Sequence, residues 1–126
     1  LSGGAEGWAA AGLPLTRGTT LAFPRRFVPM SDERQRAETS WVQARTGDRS
    51  LLLLDVRGHH EYAAGHLLNA RHWEWSNGTP TGSRAALRPA DELRAELRAC
   101  GITPERRIVT SCSSGMRAAH TYLLLR

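Results

Sequence analysis

Lysine is missing altogether, and all 17 basic residues among the 126 are arginine. Arginine codons are GC-rich, so this count reflects base composition as much as function. The arginines are spread from Arg17 to Arg126 with no dense run, and aromatic residues make up only 6%. A nucleic-acid surface needs a basic stripe with stacking rings nearby, and neither is present. The net charge of +5 therefore reads as a solvated surface that favours small anions, and no nucleic-acid partner is expected. Cysteine is scarce: Cys100 and Cys112 do not make a disulfide framework, and reduced thiols point to the cytoplasm. No apolar run approaches the ~20 residues that cross a bilayer. The first ten residues lack the basic start and apolar core of a secretion signal, so neither membrane contact nor export is expected.

The chain is long enough for one domain with a real core. Residues 5–12 read as a short helix ending at Gly12, followed by a loop with Pro14 and Gly18. Residues 23–30 are a proline-interrupted extended stretch, expected as an edge segment. The spacing of Ala37, Trp41 and Ala44 predicts a helix from Asp32 or Glu33 to Arg45, capped by Ser31 and stopped by Gly47. Residues 51–54 are four consecutive leucines, the pattern of a parallel strand covered on both faces. A helical turn over 59–64 closes at Gly65, and 69–73 reads as a second strand. Residues 76–89 are a polar loop. Pro89 opens a helix with Ala90, Leu93, Leu97 and Cys100 on one stripe, ended by Gly101. Residues 107–111 read as a third strand, and an apolar helix runs on to Leu125. Alternating strands and helices predict an α/β fold with a central parallel sheet flanked by helices. In such sheets the working site lies beyond the carboxyl ends of the strands. Asp55-Val56-Arg57 and Cys112 are both expected there.

Cys112 stands where a strand stops and a helix starts. The first backbone N–H groups of a helix lack intrahelical partners, and the helix dipole adds partial positive charge. Such a place stabilises a thiolate. Ser113, Ser114 and Gly115 are small enough for the loop to curl until its N–H groups converge on the sulfur. Arg117 adds a fixed charge at the rim. A thiolate in an anion cradle is suited to attack an anionic electrophile that carries a good leaving group. The alternative reading of Cys112 is a small buried filler.

Leu53-Leu54-Asp55-Val56-Arg57, Glu61-Tyr62 and Gly65-His66-Leu67-Leu68-Asn69-Ala70 together resemble the signature of the rhodanese sulfurtransferases. Asp91 to Ile102, and the run from Ile108 through Cys112-Ser113-Ser114-Gly115-Met116-Arg117 to His120, are similar to the second half of that family's domain. The resemblance covers residues 50–126 in order. It implies a three-layer fold on a five-stranded parallel sheet, with Cys112 as sulfur acceptor and residues 112–117 as the substrate-binding loop. Asp55, Arg57 and Glu61 match residues that brace the loop, and their alternative role is a structural ion-pair network. The implied partners are a small anionic sulfur donor and a thiol or cyanide acceptor, with neither cofactor nor metal. Residues 1–22 look like the tail of a preceding rhodanese-like domain plus a linker. Residues 23–126 look like a catalytic domain expected to stop before its last strand and helix.

Leu68 and Asn69 stand where the family has Pro-Gly. Ser113 and Ser114 replace the two basic residues of the vertebrate thiosulfate enzymes, and Ser114 matches the serine of mercaptopyruvate sulfurtransferases. The donor is therefore open between thiosulfate and 3-mercaptopyruvate. Three other readings compete. A phosphatase of related fold uses C-x5-R, whereas Cys112 to Arg117 is C-x4-R, a tighter loop better suited to a sulfane sulfur than to a phosphoryl group. A non-catalytic regulatory module is a second. A zinc site built from His59, His60, His66 and His72 is a third, with no supporting cysteine or carboxylate pattern. Cys100, on its helix stripe, is expected in the core.

Overall fold

The computed structural model describes residues 3–30, 32–81 and 86–126. Its core is a parallel sheet of three strands, β1 (Leu51–Asp55), β2 (Arg71–His72) and β3 (Arg107–Ser111), in the order β2-β1-β3. Leu54 lies opposite Arg71, and Asp55 opposite His72. On the other side Leu51 faces Arg107, and the register continues to Asp55 opposite Ser111. β1 is thus the central strand, and all five of its residues are buried.

Side chains alternate across a strand, which sorts the four leucines into two cores. Leu52 and Leu54 join Val56, Trp73, Leu93, Leu97, Ile102 and Ala118 on one face. Leu51 and Leu53 join Ala70 on the other, with Trp41, Val42 and Val109 packed against them. The first face is covered by α4 (Ala90–Ala99) and α5 (Met116–Leu124), the second by α2 (Thr39–Gln43). α3 (His59–Ala64) follows β1 over the span its sequence predicts. In α4 the stripe buries Leu93 and Leu97 and leaves Cys100 half-buried and Ala90 exposed. Gly101, at φ 67°, turns the chain out of that helix with Ile102 N–H bonded to Leu97 O at 2.8 Å. Trp73 Nε1–H donates to Glu96 at 3.0 Å, and Arg88 bonds Glu96 at 2.5 Å, so the loop after β2 is tied to α4.

Three expectations are corrected. The helix from 32 or 33 to Arg45 is broken in two. Asp32 accepts from Arg34 N–H at 3.1 Å and caps a single 3-10 turn, Glu33–Gln35; Arg36 is extended, and only α2 follows. Ala37 and Ala44 stay exposed, so too little apolar surface is buried to hold a long helix against this local cap. Ser31, its expected cap, lies outside the described residues, as do residues 82–85 of the polar loop. Residues 23–30 form no ladder: Phe23, Phe27 and Met30 are each more than 80% exposed, and Pro24 and Pro29 lack the donors a strand requires. The strand expected over 69–73 is only Arg71–His72. Asn69 adopts a left-handed conformation, φ 63°, which starts the strand late and which asparagine tolerates. This also explains how Asn69 stands where the family signature has glycine. The N-terminal helix, α1 (Gly4–Ala10), ends two residues before Gly12 and buries none of its side chains.

Leu54 has no exposed surface. Leu54→Ala should lower the unfolding free energy by about 2–5 kcal/mol in urea titrations. A loss under about 1 kcal/mol would show that the strand is not the core of the domain.

Candidate functional site

The site is built at the carboxyl ends of β1 and β3. β1 ends in Asp55, whose carboxylate is only 2% exposed and accepts from Arg57 four times: from its backbone N–H, twice from Nε, and from Nη2 at 2.6 Å. Burial pushes the Asp55 carboxyl up, but the Arg57 hydrogen bonds and charge outweigh it and hold the group below its ordinary value. Arg57 Nη2 also donates to Gly65 O at 2.6 Å, and Arg57 O bonds His72 Nε2 at 2.7 Å. One side chain and its carbonyl thus join the end of β1, the end of α3 and β2.

Glu61 sits in the first turn of α3. Its carboxylate accepts from Gly58 N–H at 3.2 Å, satisfying an otherwise orphaned helix donor. The same carboxylate takes Arg117 in a bidentate pair, 2.5 Å from Nη1 and 2.9 Å from Nη2. Arg117 Nη2 further donates to Ser113 Oγ at 2.7 Å. The Arg117 hydrogen bonds lower the Glu61 pKa to about 2. The return partnership raises that of Arg117, which stays charged. A clasp therefore runs from α3 across to the loop after β3.

Cys112 follows β3 directly. Gly115, at φ 91°, turns the chain into α5 through a conformation that strains any residue with a side chain. Gly115 N–H and Ala118 N–H point at Cys112 Sγ, 3.1 and 3.4 Å away. Burial pushes the Cys112 thiol up; the N–H groups of Ala118, Ser114, Gly115 and Arg117 outweigh it, so the thiol lies below its ordinary value. Ser113, Ser114, Gly115 and Met116 are exposed, which leaves the cradle open to solvent. The structure thus brings Cys112, Ser113, Gly115, Arg117 and Glu61 into one connected group, with Ser114 contributing its N–H and Asp55–Arg57 beside it. Met116 makes no hydrogen bond to the sulfur.

Two anchors were not legible beforehand. Thr110 Oγ1 donates to Ala118 O at 3.1 Å, and the fully buried Thr121 donates to Arg117 O at 3.2 Å. They fix the start of α5, and for Thr121 the one signal is a polar residue on the buried face of an apolar helix; Thr110, on β3, gives none. Cys100 packs against the core cluster as expected. Two of the four candidate histidines, His66 and His72, stack on Tyr62. Tyr62 lies between His66 at 3.8 Å and His72 at 4.8 Å, and His59 is 5.8 Å from His72. His66 Nδ1 bonds Tyr62 O at 2.9 Å. Among the described residues no group of three or more His, Cys, Asp or Glu side chains is placed to hold a metal ion. Among them, too, no helix is long and apolar enough to cross a membrane.

Residues 38–126 match the family described as Rhodanese-like domain. The chain belongs to this family. Among curated proteins it is 28% identical over 134 residues to a thiosulfate sulfurtransferase of Pseudomonas aeruginosa, covering all of this chain and 49% of that one. It is equally similar, with the same coverage, to a thiosulfate sulfurtransferase of Azotobacter vinelandii. A sulfur carrier protein of Thermus thermophilus is 29% identical over 147 residues, covering all of this chain and half of its own. The rhodanese-like chain spans about half the length of these curated relatives.

Two tests follow from this geometry. Cys112 should be alkylated by iodoacetamide with a pH midpoint below that of an ordinary thiol, roughly 8.5; a midpoint at or above that value would show that the N–H cradle does not hold the thiolate. The Glu61 pKa is depressed, so the clasp's contribution to stability is complete above the ordinary carboxyl value of 4.5 and is lost as pH falls toward about 2. The stability difference between the unaltered protein and Glu61→Gln should be constant above pH ~5 and shrink below it. A difference independent of pH down to the acid limit would contradict the pairing.

Proposed function

We propose that the protein is a sulfurtransferase that carries a sulfane sulfur on Cys112, taken from thiosulfate and passed to cyanide or a cellular thiol. The observation that carries this reading is the Cys112 sulfur facing convergent backbone N–H groups at the start of α5, in a chain of the rhodanese-like family. The Cys112 thiolate attacks the outer sulfur of thiosulfate. The bond between the two sulfurs of the donor breaks, and its electron pair leaves with sulfite. Cys112 is left as a persulfide anion in which the N–H groups of Ser114, Gly115, Arg117 and Ala118 stabilise the charge. Cyanide or a thiolate then attacks the outer sulfur and restores the Cys112 thiolate. This is covalent catalysis in two half-reactions, and written this way it needs neither metal nor cofactor. Arg117 and Glu61 hold the loop in shape, and Asp55 with Arg57 fixes the strand end beneath it.

The donor reading follows the names of the two thiosulfate sulfurtransferases; 3-mercaptopyruvate is the alternative, supported by Ser114. The loop argues against a phosphatase. Cys112 to Arg117 is one residue short of that motif, and the Arg117 fork is engaged by Glu61 and Ser113 instead of being free to clamp a phosphoryl group. The unit carrying this chemistry is residues 23–126. Residues 1–22, which include the exposed α1, belong with a preceding rhodanese-like domain, in keeping with relatives of about twice the length. β3 has no strand on its outer edge among the described residues, and we assign that edge to a further strand of the domain. The two half-buried thiols, neither in a disulfide, suit the reducing cytoplasm.

The test compares initial rates with cyanide as acceptor. Cys112→Ser should lose thiosulfate turnover by at least a thousandfold, as removal of a covalent nucleophile does, whereas Cys100→Ser should keep most of it. Hydrolysis of a small aryl phosphate should be negligible beside sulfur transfer. Turnover that survives in Cys112→Ser, or phosphatase activity that exceeds sulfur transfer, would overturn the reading. A higher kcat/KM with 3-mercaptopyruvate than with thiosulfate would assign the alternative donor.

A further inference from the structure

The two guanidinium groups of the site are already paired with carboxylates. Arg57 is held by Asp55 and Gly65 O, and Arg117 by Glu61 and Ser113. Two cations are matched by two anions, so before the thiolate is counted these four side chains carry no net charge. The two carboxylates are not equivalent. The Asp55 side chain is 2% exposed beneath the loop, whereas that of Glu61 is 42% exposed. Glu61 is therefore the negative charge that an incoming donor meets. It occupies the edge of the Arg117 fork where an oxyanion would otherwise bind in a bidentate manner. The residues that follow Cys112, Ser113 and Ser114, add no cation.

We infer that Glu61 is a specificity-determining residue of the sulfur-donor site: by engaging the Arg117 fork and leaving a carboxylate at the rim, it selects against donors of high negative charge. The inference rests on the sulfurtransferase reading above. Recognition then falls mainly to the backbone N–H groups of the loop, which take one oxyanion or thiolate without demanding a second charge. Thiosulfate, a dianion, is disfavoured relative to a monoanionic sulfane donor such as an alkyl thiosulfonate. With methanethiosulfonate the chemistry balances in the same way: the Cys112 thiolate attacks the sulfane sulfur, the sulfur–sulfur bond of the donor breaks, and methanesulfinate leaves with the electron pair.

The experiment measures kcat and KM for thiosulfate and for methanethiosulfonate, with cyanide as acceptor, in the unaltered protein and in Glu61→Gln. The single amide oxygen of glutamine can accept from Arg117 Nη1 and Gly58 N–H, as Glu61 Oε2 does, while the charge and the second Arg117 hydrogen bond are lost. At moderate salt an exposed charge acts through screened, high-dielectric solvent. The expected result is a fall of about three- to tenfold in the thiosulfate KM and a smaller fall for the monoanion, because the repulsion scales with donor charge. The ratio of the two KM values should drop at least about twofold. A purely structural role for Glu61 would change kcat for both donors by one common factor and leave that ratio unmoved, which would overturn the inference. Should Glu61→Gln not unfold cooperatively, Glu61→Met gives the same neutral comparison with the same two outcomes. Absence of a persulfide on the unaltered protein after either donor would instead overturn the sulfurtransferase reading, so the two failures are distinguishable.

Discussion

The pair between Glu61 and Arg117 joins two stretches of chain that are 56 residues apart in sequence. Without it, the loop after β3 would be held only from behind, by Thr110, Thr121 and the backbone of α5. With it, the loop is stretched between the helix it opens and the helix that follows β1, and its N–H groups keep their aim at Cys112. The anion cradle thus depends on a carboxylate in another element, and that carboxylate is itself fixed by capping α3 through Gly58. Because the pair is partly exposed, its direct contribution to stability is small. What it provides is the shape of the loop.

The core makes this arrangement possible. β1 is buried on both faces, so its last residue, Asp55, and those just past its end, Val56 to Gly58, have little freedom. Arg57 uses that fixed point to tie down Gly65 and, through its carbonyl, His72. β3 runs in register beside β1, which places Ser111 level with Asp55 and Cys112 just beyond. Packing thus sets positions, and the polar groups then set orientation. A leucine core decides where the sulfur is, and a handful of hydrogen bonds decides what state it is in.

Much of this was legible in the sequence where local signals agreed with the global fold. Four consecutive leucines, the Gly65 stop and the small-residue turn after Ser111 each carry an unambiguous preference, and the structure follows them. The reading failed where the signal was only spacing. Ala37, Trp41 and Ala44 suggested one long helix, but two of the three are alanines that bury nothing, and Asp32 offered the backbone a competing turn. The extended, proline-broken residues 23–30 were expected to pair, yet proline left too few donors. At the site, residue types predicted the cradle because a strand–cysteine–small–small–glycine–helix order constrains geometry. The partner of Arg117 could be suggested only by resemblance, since long-range pairing leaves no local trace. The half-buried hydroxyl of Thr110 and the buried one of Thr121 were passed over, because a threonine in an apolar stretch does not declare its acceptor.

The central claim is that Cys112 stores the sulfur, and the most direct measurement locates the atom. The protein is treated with thiosulfate, freed of small molecules, and mapped by peptide mass spectrometry before and after cyanide. The account predicts one added sulfur on the Cys112 peptide and none on the Cys100 peptide, with the sulfur discharged as an equal amount of thiocyanate. Sulfur located elsewhere, or an unmodified Cys112 peptide in a sample that still yields thiocyanate, would contradict it.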